Sequence, residues 1–208
     1  MRGKTIVLLV ACLFVVSSLA IASNMGFKIT IGLLTSTLGQ NWFSLPYNVS
    51  FTNAGQLLTD VNTGGTRVSS VSRWNTATDA FQSWSGRAGT NFAITQGEAY
   101  MFAVTTAYDW VVVGSHNPAA AVSVAPGGSL NQVWVSVPYH TTATNAGTLF
   151  TEINTDTATC CASISRWNTS ANGFETWSGR AGTNFAVTPG IAVMLAVTKA
   201  GTWTPAHY

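Results

Sequence analysis

The sequence predicts a mainly β protein made of two tandem homologous domains, each a β-sandwich or partial barrel with one short helix. Three observations carry this. The chain repeats itself at offsets of 92 and then 93 residues. Short β-branched and aromatic runs alternate with Gly, Asn, Ser and Thr turn clusters. Hydrophobic residues make up 47% of the chain, enough for a buried core, while charged residues make up only 8%.

The first segment, 1–22, reads as a signal peptide. Arg2 and Lys4 precede the apolar run Thr5 to Val16, and Ala20-Ile21-Ala22 supplies a small-x-small cleavage signal, so the mature chain is expected to begin near Ser23. A lipoprotein box ending at Cys12 and a pilin-type site at Gly26-Phe27 fit less well: the apolar stretch before Cys12 is short, and no long apolar helix follows Phe27. The expected location is secreted, extracellular or at the cell surface.

The repeat sets the domain organisation. NWFSLPY ending at Tyr47 answers VWVSVPY ending at Tyr139, TNAG recurs at Thr52 and Thr144, SRWNT at Ser72 and Ser165, and WSGRAGTNFA is identical at Trp84 and Trp177. One inserted residue near Asp156 accounts for the change of offset. The eight tryptophans form four equivalent pairs: Trp42 and Trp134, Trp74 and Trp167, Trp84 and Trp177, Trp110 and Trp203. These matches predict one domain over 23–116 and a second over 117–208, joined through the short link Asn117-Pro118.

Within a repeat, FKITI, NWFSLPY, RVSSVSRW, AFQSW, NFAI, EAYMFAV and DWVVVG read as strands. Leu57, Leu58 and Val61 fall at helical spacing behind Thr52 and Asn53, both suited to an N-cap, and predict a helix covering an open end of the sheet. SRWNTATDAFQSW and its copy, with Asn172-Gly173 at the turn, predict a hairpin that places Trp74 and Trp84 on paired strands. Trp42, Trp74, Trp110 and their partners sit among apolar strand residues, where tryptophan belongs to a core.

The order W-x-x-S-[LV]-P-Y, short helix, SRWNT…F…W, [IV]T-x-G-x-A resembles a tandem β-rich repeat of secreted and cell-surface bacterial proteins. The resemblance covers almost the whole chain after the leader. It implies a structural or adhesive role with no established chemistry. The chain departs from that pattern at Asn75 and Asn168, where aspartate is common, and at Val193, which stands at the Tyr100 position.

Charge and chemistry narrow the function. Of nine Lys and Arg, Arg2 and Lys4 leave with the leader, so seven remain against seven Asp and Glu. A neutral chain gives no basic patch for nucleic acid or an anionic membrane, and it removes a barrier to self-association. Asp60 matches Glu152, but Asp79 matches Asn172, Glu98 matches Ile191 and Asp109 matches Thr202, so no carboxylate pair recurs for acid–base work. His116, His140 and His207 lack metal-ligand spacing, and SGRAGT lacks the P-loop ending. No enzyme, metal or cofactor is expected. Cys160 and Cys161 are adjacent and have no counterpart in the first repeat; they are free, bridged to each other, or bridged between chains.

The expected function is therefore a non-catalytic structural protein, a subunit of a cell-surface or extracellular assembly of filament or surface-layer type. Its expected partner is itself, through edge strands, with FKITIG as a strand that could complete a neighbour. The alternative is a carbohydrate-binding adhesin, with Trp84 and Arg87 and their copies Trp177 and Arg180 as sugar platforms. In that reading Arg87 and Arg180 bind the sugar; otherwise they bond loop carbonyls or lie across a tryptophan face.

Overall fold

The computed structural model describes residues 26–117 and 119–206; the expected leader and its cleavage site lie outside them. The first repeat contains β1 (Phe27–Leu33), β2 (Gln40–Ser44), α1 (Ala54–Val61), β3 (Val68–Asn75), β4 (Ala80–Trp84), β5 (Ala99–Val104) and β6 (Tyr108–Gly114). The second repeats the plan with β7 (Val122–Val124), β8 (Gln132–Ser136), α2 (Ala146–Asp156), β9 (Cys161–Asn168), β10 (Gly173–Trp177), β11 (Ala192–Val197) and β12 (Gly201–Trp203). Each repeat holds a four-stranded antiparallel sheet, ordered β2-β5-β3-β4 or β8-β11-β9-β10, and a two-stranded ribbon, β1-β6 or β7-β12. The fold is mainly β and sandwich-like, as the sequence predicts.

Strand alternation gives each sheet two faces. Phe43, Tyr100, Phe102 and Val71 point to one face and meet Leu57 and Val61 of α1, Ile31 and Leu33 of β1, and Trp110 and Val112 of β6. The helix thus lies against β3 on the core face of the sheet, rather than across its open end. Asn53 caps it, accepting from the Gln56 amide, and Asn145 caps α2 within a capping box completed by Thr148. Asn62, the C-cap of α1, and its equivalent Asn154, within the last turn of α2, tie each helix to the next strand: each carboxamide accepts an amide proton from that strand and donates back to a carbonyl there. The offset changes between these asparagines and the next strand, where α2 runs three residues further than α1.

NFAI is not a strand. Its backbone clamps the helix entry instead: Phe92 O accepts from Ala54 N, Ile94 N donates to Thr52 O, and Asn91 Oδ1 accepts from Gly55 N at 2.7 Å. The hairpin places Trp74 and Trp84 on paired strands, as expected, but not opposite one another. Trp74 stands opposite Phe81, and Trp84 opposite Val71, so the two tryptophans face opposite sides of the sheet. The loop between β9 and β10 closes through Asn172 at φ 50°, matched by Asp79 at φ 50° in the first hairpin. FKITIG pairs with β6 of its own repeat over its whole length.

Cys160 and Cys161 are free thiols and both are buried, because Cys160 precedes the strand and tucks against the end of α2. Burial, and then the neighbouring Cys160, push the Cys161 thiol up to about 12. Both cysteines are expected to resist alkylation in the native protein and to label in denaturant, read by peptide mass spectrometry. Stoichiometric native labelling, or a disulfide, would contradict this placement.

Candidate functional site

The second face of each sheet meets the other domain. Trp42 and Trp134 stack across the junction with ring centroids 3.5 Å apart and planes 5° from parallel. Ala99 and Ala192 lie buried beside them, with Trp74, Trp167 and Met194 packed around. The small alanines let the two sheets approach closely enough for the rings to touch.

Polar contacts at the junction come in reciprocal pairs. Trp74 Nε1 and Thr76 Oγ1 both donate to Gln132 O at 3.0 Å, and Trp167 Nε1 and Thr169 Oγ1 do the same to Gln40 O. Ser44 N donates to Gly190 O and Ser136 N to Gly97 O, each at 2.8 Å. Asp79 Oδ2 accepts from Ser129 N, Ser129 Oγ and Leu130 N, while Asn172 Oδ1 accepts from Leu38 N. Apart from the two Ser129 bonds, each contact has its repeat-equivalent counterpart, so the two domains are related by a pseudo-twofold axis. The junction uses the otherwise unpaired edges of β2 and β8, leaving β4 and β10 as the sheets' free edges.

The tyrosine ending each W-x-x-S-[LV]-P-Y motif crosses over. Tyr47 belongs to the core of the second domain, and Tyr139 packs against that of the first. Burial and the Glu152 carboxylate hold the Tyr47 phenol well above its ordinary range. His116 and His140 also meet there edge to face, 3.9 Å between centroids, a proximity that sequence spacing does not reveal. Among the described residues no group of three or more His, Cys, Asp or Glu comes together as a metal site.

Comparison with known proteins finds no matching family model, curated protein or solved structure. Function therefore rests on this geometry.

Several carboxylates are engaged structurally. Trp110 Nε1 donates to Asp60 Oδ2 at 2.8 Å and Trp203 Nε1 to Glu152 Oε1 at 2.9 Å, which ties each helix to a buried ring. Arg73 pairs with Glu98 in the first repeat, whereas Arg166 pairs with Glu175 in the second. The acid has moved from one side of the arginine to the other, and the ion pair survives. Hydrogen bonds from Asn168 and Arg166 hold the Glu175 carboxyl below the usual carboxylate range. Asn75 accepts from Ala77 N to shape its turn, so Asn75 and Asn168 each have a local task.

The four sugar-platform residues stay in two separate places. Trp84 is half-buried against the first core and forms one wall of a groove of about 670 Å3 beside α1, with Asn53, Gln56, Leu58, Asp60 and Asn91. The equivalent groove of about 620 Å3 is lined by Asn145, Gly147, Thr148, Thr151 and Glu152, without a tryptophan. There Phe150 stands in place of Leu58 and packs with Trp177 against the second core. Arg87 and Arg180 are exposed at their loop tips and line neither groove. Among the described residues, the arginines that lie over aromatic rings are Arg67, Arg73 and Arg166, on Tyr108, Phe92 and Phe185.

Identical WSGRAGTNF segments have a structural task. Thr90 N donates to Ser83 O and Thr183 N to Thr176 O, folding the loop back onto the free edge of β4 or β10. Part of each exposed edge is thereby closed to another strand.

Proposed function

We propose that this protein is an exported, non-catalytic structural protein, a subunit of a cell-surface or extracellular assembly. The reciprocal tryptophan junction carries this reading. Four of the eight repeated tryptophans hold the two domains together through a ring stack and reciprocal hydrogen bonds, and the carboxylates described above are spent on tryptophan N–H groups, ion pairs and turns. The leader signal in the sequence, the neutral charge after its removal and the resemblance to surface repeat modules support the same reading. A tagged copy of the full chain is expected in the surface or extracellular fraction, in a species larger than the monomer. Retention as a cytoplasmic monomer would sink the proposal.

One observation favours a second reading, a glycan-binding adhesin. Trp84 lines a groove with the amides Asn53, Gln56 and Asn91, a set suited to a neutral sugar. Binding on a glycan array that disappears in Trp84→Ala would establish it. An array without hits would remove it.

A further inference from the structure

The aromatic junction does not end at the domain interior. Phe81 lies 5.8 Å from Trp42, and Phe174 lies 6.0 Å from Trp134, so four rings run in one row across the pseudo-twofold axis. The outer rings are open to solvent, Phe81 by 47% and Phe174 by 52%. Leu130 and Leu38, each 53% exposed, sit on the loops held by Asp79 and Asn172, two residues from those phenylalanines. All of these residues are repeat equivalents. Exposed apolar residues thus gather at both ends of this row, with the partly exposed Trp42 and the buried Trp134 between them, and such a cluster marks an interaction surface.

We propose that this band is a homodimer interface, docking onto the same band of a second copy; the inference rests on the structural reading above. Three features select that occupant. The band is uncharged apart from Asp79, whose Oδ2 already accepts three hydrogen bonds, so its partner is apolar and neutral, as the band itself is. The chain left after the leader balances seven basic against seven acidic residues, so two copies approach without net repulsion. The band also continues the junction between the domains, where the same residue types already pack against their own equivalents, and an isologous contact extends that packing. A sugar fits poorly: Trp42 and Trp134 cover each other's faces, and both phenylalanines tilt 46° from their neighbours, which leaves no flat platform.

Sedimentation equilibrium of the purified protein across concentration tests this. The wild type is expected to show a monomer–dimer equilibrium. Phe81→Ser with Phe174→Ser is expected to raise the dissociation constant at least about thirtyfold, as loss of central aromatic anchors does. Leu38→Glu with Leu130→Glu is expected to do likewise through like charges, with circular dichroism unchanged. Val113→Ser, on the exposed face of β6, is expected to leave the equilibrium untouched. A wild type that stays monomeric, or a dimer that persists in both double variants, overturns the inference. Self-association that persists in those variants leaves the assembly reading standing with another interface. Monomers found in the surface fraction leave the export reading standing alone.

Discussion

Replacing both Trp42 and Trp134 by alanine is expected to split the urea unfolding of this protein from one transition into two. In the wild type the domains share a ring stack, reciprocal hydrogen bonds and exchanged tyrosines, so neither unfolds without exposing part of the other. Trp134 is nearly fully buried, and truncating a buried tryptophan costs about 3–5 kcal/mol. Trp42 is partly exposed, so its single variant is expected to lose less. A double-mutant cycle should return a coupling of about 0.5–1.5 kcal/mol, the contribution of an aromatic pair beyond its buried area. Single transitions with additive losses would mean that the stack does not join the domains.

Gly89→Ala is expected to be the most damaging glycine substitution in the first domain's loops, with Gly182→Ala its equal in the second. Gly89 sits at φ 97° and Gly182 at φ 104°, in the left-handed region that side chains avoid. A Cβ on Gly89 would run into Ser83 O, the acceptor for Thr90 N, and one on Gly182 into Thr176 O. Backbone strain of about 1–3 kcal/mol adds to the loss of a hydrogen bond worth roughly 0.5–1.5 kcal/mol. For a chain of this size that lowers Tm by roughly 5–15 °C. Trp84 fluorescence should shift as well, because the loop that turns back on it is released. Gly32→Ala is the control: its Cβ meets only an ordinary contact 3.6 Å from Asp109 Oδ1, and its Tm should hardly move. Equal losses at Gly32 and Gly89 would contradict this account.

What the sequence by itself determined is local or repeated. The duplication, the strand runs, the Asn caps, the hairpins and the paired tryptophans could be read from spacing, because alternation, capping and turn chemistry act within a few residues. NFAI reads as a strand from its apolar residues, while its backbone bonds go to the helix entry. Trp84 and its groove were legible in part: the ring was marked, but Asn53, Gln56, Asp60 and Asn91 come from segments up to 38 residues apart. Only the tertiary structure decided what each tryptophan does. Trp110 and Trp203 are core, bonded to helix carboxylates, whereas Trp42, Trp74, Trp134 and Trp167 join the domains. A signal for this did exist: Trp42-Phe43 and Tyr100-Met101-Phe102 place bulky apolar residues on both faces of a strand, which requires cover on both sides. Alternation says that a second face must be covered, but it carries no information about which distant surface covers it. Here the cover is the same face of the other repeat, and a pseudo-twofold junction is a property of two folded surfaces rather than of any one segment.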